Sequence, residues 1–364
     1  MSFALLKRAV KTDLDIVSAR YPDVPRLIIL KTDVQRRGVF YTDAAIELLD
    51  EALHQTTGTH IFGARDGRTA VRPESLLLRD GTSIITTPTP LEEEPYVVDV
   101  LEGESWLFDN GRAVEPVDYW PAPAYYAKNS RSGVPMKHIV SARPQRLNIF
   151  PYRYCTFWNN AKGCAFCDMV VQLKKGREVL KIPAKLDPVE VGEVIGEALK
   201  EQGRFSTIFL TSGSITGGVR PFDDEVDYYI ALLKEIGKHF RTKKYPSQMI
   251  GTAFEKDQLK RLYAETGLTS YTSDIEVLDE GLFNRYCPGK SEWIGYREWK
   301  RRLVDAVDVF GPGRVNTGLV AGIELAGPNG FKSEEIALER TLSEAEDLAC
   351  QGGQYGFYCL VAPP

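Results

Sequence analysis

From Arg146 onward, short apolar runs of strand length alternate with longer stretches of helical periodicity, and this alternation restricts the fold more than any other feature. The runs are 146–150, 207–212, 248–254, 269–276, 315–324 and 355–362. Helical patterns fill the gaps: 187–202 with an N-terminal Asp187, 224–240, a segment from Glu255, a long region through Trp299 to Phe310, and 333–348. A parallel partner can be reached only by a crossover of a dozen or more residues, so this order implies right-handed βαβ units on a parallel sheet. Six such units with mostly apolar strands predict an α/β fold, a partial (βα)6 barrel of TIM type over residues 141–364. No helical pattern follows the sixth run, so the expectation there is a chain cut short or a partner covering that end.

Residues 1–140 have a different rhythm. Thr42 precedes an amphipathic stretch and suits a helix cap. Alternating runs around Asp80-Gly81 and Asn110-Gly111 carry the residues that tight hairpin turns need for positive φ. The segment 115–135, rich in Pro, Tyr and Ser, reads as a connector. These patterns predict a small α+β N-terminal accessory module.

With 43% hydrophobic and 26% charged residues the chain has the composition of a globular protein. A net charge of -5 gives no electrostatic reason to expect nucleic acid or an anionic membrane as partner. No apolar run is long enough to cross a bilayer, and the N-terminus lacks the apolar core of a signal peptide, so a cytoplasmic location is expected. A reducing compartment makes structural disulfides improbable and ligand or catalytic roles for cysteine more attractive.

That bears on YRYCTFWNNAKGCAFCDM, residues 153–170, which holds three of the six cysteines with spacing C-x8-C-x2-C. Cys155, Cys164 and Cys167 fall in the loop after the first expected strand, where βα barrels place their chemistry. A structural zinc ion usually takes four ligands in two short-spaced pairs, whereas only Cys164 and Cys167 are so spaced and no histidine is near in sequence. Three thiolates without an evident fourth ligand fit better a 4Fe-4S cluster with one open iron. Zinc, or no ligand at all, stays open at this point.

The loop position, the three cysteines and Phe166 just before the last of them resemble the radical S-adenosylmethionine (radical SAM) superfamily, over residues from about 140 to 364. The common spacing in that superfamily is C-x3-C-x2-C; here the first gap is longer. The resemblance implies that the cluster cysteines chelate iron, that S-adenosyl-L-methionine binds the open iron, and that its reductive cleavage gives a 5′-deoxyadenosyl radical which abstracts hydrogen from an unactivated C–H. It also implies a low-potential donor such as flavodoxin or ferredoxin. Matching positions for S-adenosylmethionine would be Ser212, Gly213 and Ser214 after the second strand, where the usual acidic residue is missing. Asp274 and Glu276 on the fourth strand would face ribose, Val320 and Glu324 lie on the fifth, and Tyr358 or Leu360 on the sixth would close on adenine.

Cys287, in RYCPGK, stands beside Arg285 and Lys290 at a Pro-Gly turn, and these three are the candidate catalytic residues: an anion site for substrate, or a thiol that quenches a product radical. Cys287, Cys350 and Cys359 together raise the expectation of a second iron–sulfur cluster. The segments around 273–290 and 306–324 resemble the biotin-synthase-like subgroup, which implies a sulfurtransferase type of transferase acting on a small-molecule or carrier-bound substrate. The alternatives are a carbon-skeleton rearrangement without a second cluster, or a zinc- or cluster-stabilised scaffold that binds a protein. A barrel hydrolase or aldolase is disfavoured, because histidine is scarce and no lysine stands at a strand end.

Overall fold

The computed structural model describes residues 14–50, 52–56, 72–178, 182–351 and 354–359. They fall into two compact units, Met1–Pro123 and Ala124–Pro364. Residues 124–140, grouped with the N-terminal module in the sequence reading, belong to the second.

The first unit contains α1 (Leu14–Arg20), α2 (Arg26–Arg37), β1 (Val39–Tyr41), α3 (Asp43–Glu47), β2 (Ser75–Leu78), β3 (Ser83–Ile85), β4 (Tyr96–Leu101), β5 (Glu104–Asp109) and β6 (Arg112–Tyr119). Its strands order as β1-β4-β5-β6-β2-β3, with β1 and β4 parallel and the other pairs antiparallel. The Thr42 hydroxyl accepts from Ala45 N at 3.2 Å and caps α3. Asn110 and Gly111 both have positive φ, 51° and 74°, as the β5–β6 hairpin requires. A further hairpin turns at Glu102-Gly103, also with both φ positive. Leu30 and Val34 of α2 pack with Val98, Leu107, Leu76 and Ile84 of the sheet.

The second unit holds α4 (Met136–Ile139), β7 (Val140–Arg143), β8 (Arg146–Ile149), α5 (Met169–Glu178), α6 (Pro188–Ala198), β9 (Thr207–Thr211), α7 (Asp223–Gly237), β10 (Ser247–Ile250) and α8 (Lys256–Glu265). It continues with β11 (Ser270–Thr272), α9 (Glu280–Tyr286), α10 (Pro288–Trp293), α11 (Tyr296–Phe310), β12 (Val315–Ala321), α12 (Glu334–Cys350) and β13 (Gln354–Cys359). The sheet order is β13-β12-β11-β10-β9-β8-β7. Strands β8 to β13 are parallel neighbours in chain order, and β7 adds an antiparallel edge that the sequence reading did not contain. The sheet is a curled half-barrel of mixed α/β type.

Caps fix where the helices start. Asp187 accepts from Glu190 N at 2.9 Å with Pro188 at the first helical position, Asp279 accepts from Leu282 N, and Ser333 from Ile336 N. Ile208, Leu210, Met249 and Tyr271 alternate toward the helices and meet Val226, Tyr229, Leu233, Leu259, Trp299, Leu303 and Phe310 in one core. The long helix expected after the fourth strand is three helices, because Pro288 restarts the chain after Cys287 and Gly295, at φ 86°, turns it again. The third and fourth strands end at Ile250 and Thr272, earlier than their apolar runs. Among the described residues no helix is long and apolar enough to cross a membrane.

Candidate active site

Past β8 the chain enters the cysteine loop, pinned first by Arg153 N donating to Ala184 O and Leu186 N donating to Pro151 O. Cys155 then meets the end of β9. Its Sγ accepts from Ser214 N at 3.4 Å, while Thr156 N and Oγ1 both donate to Ser214 O, at 2.9 and 3.0 Å. Gly213 makes the approach possible: a Cβ there would stand 2.2 Å from Tyr154 O and 2.5 Å from Cys155 Cβ. No side chain fits that gap, so the glycine is a packing requirement.

Of the eight residues between Cys155 and Cys164, 156–161 form a short 3-10 stretch whose tip Asn160-Ala161 has left-handed φ of 59° and 57°. Phe157 is buried in the core, and the Trp158 indole lies so close over Gly163 that a Cβ would come within 2.2 Å of it. Asn159, Asn160 and Ala161 are exposed. Cys164 and Cys167 close a tight turn through Cys167 N donating to Cys164 O at 3.0 Å.

All three thiols are free; Cys164 is buried, and Cys155 and Cys167 are half-buried. Burial, with a smaller contribution from the charge of Cys164, pushes the Cys155 thiol up to about 12 and that of Cys167 up to about 11. Cys164 is instead drawn below the ordinary thiol value, first by a hydrogen bond with the Cys287 side chain. Among the described residues no three side chains of His, Cys, Asp or Glu are gathered as a single bound ion requires. The donor set is nonetheless three thiols on one loop, the chemistry that suits an iron–sulfur cluster.

The loop after β9 is held from below by residues the sequence did not single out. Glu225, buried on α7, accepts from Ile215 N at 2.8 Å and from Thr252 N at 3.1 Å. The Thr252 hydroxyl sits 2.8 Å from the same carboxyl and 2.6 Å from Ser214 Oγ. Burial outweighs these donors and raises the Glu225 carboxyl to about 7. Tyr229 donates its hydroxyl to Ile250 O at 3.0 Å, which leaves the Ser212 hydroxyl, 2.6 Å away, to donate to it. Glu225 lies three and four residues from Phe222, Tyr228 and Tyr229, an acid on the apolar face of α7, and that placement is the one signal the sequence offers; Tyr229 reads as an ordinary core aromatic.

After β11 the chain carries Asp274 and Glu276. Asp274 Oδ1 accepts from Gly318 N at 2.7 Å; burial, then the charge of Glu276, raises its carboxyl to about 7. Glu276 has a left-handed φ of 73° and accepts from Lys290 Nζ at 2.6 Å through Oε1. Lys290 Nζ also donates to Asp274 O at 2.5 Å and lies 4.8 Å from the centre of the Trp299 ring. Burial is the largest single effect and works against the ammonium, but Glu276, Cys164, Cys287 and Asp274 together hold its pKa above the ordinary lysine value.

Cys287 is wholly buried and Lys290 nearly so, so neither stands open to solvent. Arg285 faces the Asn329 amide, both terminal nitrogens reaching its oxygen, at 2.9 and 2.7 Å. Phe166 packs half-buried against the core, Val320 is buried on β12, and the Glu324 carboxylate accepts from Gly322 N at 3.1 Å. Leu360 lies outside the described residues, as do the side chains of Tyr358 and Cys359.

No known protein-family pattern matches the chain. The bacteriochlorophyllide c C-7(1)-hydroxylase of Chlorobaculum limnaeum is 24% identical over 268 residues, which is 68% of this chain and 63% of the relative. The chain therefore spans less than two thirds of that relative's length. Among solved structures, methylornithine synthase aligns with a TM-score of 0.40 at 16% identity over 65% of this chain and 62% of its own. A radical SAM methyltransferase from Sphaerobacter thermophilus aligns with a TM-score of 0.37 at 14% identity over 96% and 94%.

Proposed function

We propose that this chain is a radical SAM enzyme, a partial (βα)6 barrel behind an α+β N-terminal module, in which Cys155, Cys164 and Cys167 hold a 4Fe-4S cluster. The observation that carries the reading is the position of the three free thiols: in the loop after the first parallel strand, with Cys155 bonded to the loop that ends the second. When bound, the cluster and S-adenosyl-L-methionine supply a carbon radical able to take hydrogen from an unactivated C–H. The name of the Chlorobaculum relative describes a C–H functionalisation, which supports this reaction class.

The chain's own residues supply position and polarity. Ser212, Gly213 and Ser214 are held rigidly beside Cys155 by Tyr229, Thr252 and Glu225, and their backbone is the surface offered to the methionine end of the cofactor. Asp274 and Glu276 are the carboxyls for the ribose diol, with Lys290 fixing Glu276 through one oxygen. Val320 and Leu360 are the candidates for the adenine side, with Phe166 and Glu324 as further candidates for the cofactor. The electron source is a low-potential flavodoxin or ferredoxin, and the substrate is a small or carrier-bound molecule.

Of the two chemistries considered, the one without a second cluster is preferred. Cys287 is buried against Cys164, and Cys350 is exposed at the end of α12, so these two thiols do not make a compact ligand set. The test is anaerobic reconstitution with iron and sulfide, then reduction in the presence of S-adenosylmethionine. About four irons per chain and release of 5′-deoxyadenosine are expected. Six to eight irons would restore the sulfur-inserting reading, and a zinc-loaded, colourless protein that releases no 5′-deoxyadenosine refutes the proposal.

A further inference from the structure

The break between α9 and α10 lies directly on the cysteine loop. Tyr286 O accepts from Ala165 N at 2.8 Å, and Gly289 N donates to Lys162 O at 2.8 Å. These two bonds straddle Cys164 on one side and Cys287 on the other, and so hold the two residues face to face. Gly289 allows the approach: a Cβ would stand 2.6 Å from Phe157 Cβ and 2.7 Å from Lys162 O. Both backbone groups of Cys287 are spent within its own helices, N on Phe283 O at 2.8 Å and O on Ser291 N at 2.9 Å. Its side chain has no exposure to solvent, and Cys164 is the thiol that the clasp sets opposite it. Such a thiol can neither meet a substrate nor leave its place without breaking the clasp.

Resting on the cluster reading above, we infer that Cys287 is a positioning residue: its S–H donates to the Cys164 sulfur and sets the reduction potential of the cluster without ligating it. A cluster-bound Cys164 is a thiolate and can only accept, which assigns the donor as Cys287. A hydrogen bond to a ligating sulfur withdraws electron density and stabilises the reduced cluster, making its potential more positive. The Lys290 ammonium, one turn further along α10, adds positive charge behind the same pair. Pro288, at the first position of α10, fixes the backbone where the thiol is aimed.

The experiment compares wild type, Cys287→Ala and Cys287→Ser after anaerobic reconstitution, by iron content and by a redox titration followed by electron paramagnetic resonance. Both variants are expected to keep about four irons per chain. The alanine variant titrates at a more negative potential than wild type, and the serine variant, whose hydroxyl is the stronger donor, at a more positive one. An alanine variant at the wild-type potential overturns the inference, and so does loss of iron from it, which would make Cys287 a ligand or a prop. Should the alanine variant fail to fold, an unshifted or more negative serine variant overturns it equally. A wild-type chain that takes up no cluster refutes the proposed function itself, an outcome separate from these.

Discussion

Replacing Glu225 with glutamine removes a buried acid from beneath the Ser214 loop and changes how stability depends on pH. The carboxyl rises from 4.5 to about 7 on folding, chiefly through burial. At 1.36 kcal/mol per unit, that difference is worth about 3 kcal/mol. Below the unfolded value the group is protonated in both states, and its contribution is fully present. As pH rises the unfolded chain ionises first, so the contribution shrinks and is lost once the folded carboxyl also ionises near 7. Glutamine does not titrate; it presents an NH2 to either Ile215 N or Thr252 N, a penalty of about 1–3 kcal/mol that is independent of pH. The stability advantage of wild type over Glu225→Gln is therefore expected to fall by about 3 kcal/mol between mildly acidic and mildly alkaline pH. Urea unfolding of both proteins at a series of pH values, without oxygen, measures it. An advantage that stays constant across the series would show that Glu225 is charged in the folded state throughout, and the reasoning fails.

Gly213→Ala forces a methyl into backbone 2.2 Å away; a loss of about 3 kcal/mol and poor iron uptake are expected, checked by thermal unfolding and iron assay, and a wild-type melting point would contradict the packing argument. Tyr229→Phe leaves Ile250 O and Ser212 Oγ without their shared partner and should cost about 1–2 kcal/mol in urea unfolding, whereas an unchanged midpoint would mean the hydroxyl holds nothing. Lys290→Met strands the Glu276 carboxylate and should cost about 3–5 kcal/mol, partly recovered in the Lys290→Met, Glu276→Gln double variant; additive effects in that cycle would deny the ion pair.

The second unit was largely legible because each parallel strand is buried on the helix side and therefore reads as an apolar run of its own: Ile208 and Leu210, Met249, Tyr271, Val315 and Leu319. Strand ends were overrun at 250 and 272, since Thr252 and Ser273 are small or apolar-flanked, but Thr252 gives its N–H to the Glu225 side chain and Ser273, though its N–H reaches Asn316 of β12, spends its carbonyl on the Thr317 hydroxyl. β7 went unseen: Val140–Arg143 is a four-residue edge strand turned by Pro144-Gln145, which carries no glycine or asparagine to mark a hairpin. In the candidate site, cysteines and strand-end acids are visible as types, whereas Tyr229 acts through partners on other elements and Glu225 shows only as an acid on the apolar face of α7. The Lys290–Glu276 pair joins positions fourteen apart, a spacing no helix or strand period would suggest.

The cysteine loop is fastened chiefly at its two ends: Cys155 to Ser214, Lys162 and Ala165 to the α9–α10 break, with Phe157 sunk into the core between them and the Asn159 amide oxygen accepting from the Tyr154 hydroxyl at 2.6 Å. Asn160 and Ala161 are exposed beyond these fastenings. On the proposed cluster reading, the number of residues between the first and second cysteines is thus slack in a tether, and the anchored ends set where the cluster would sit. A search that counts this interval measures the slack; one that asks for a glycine and serine pressed on the first cysteine, and a second chain break clasping the other two, measures the anchorage.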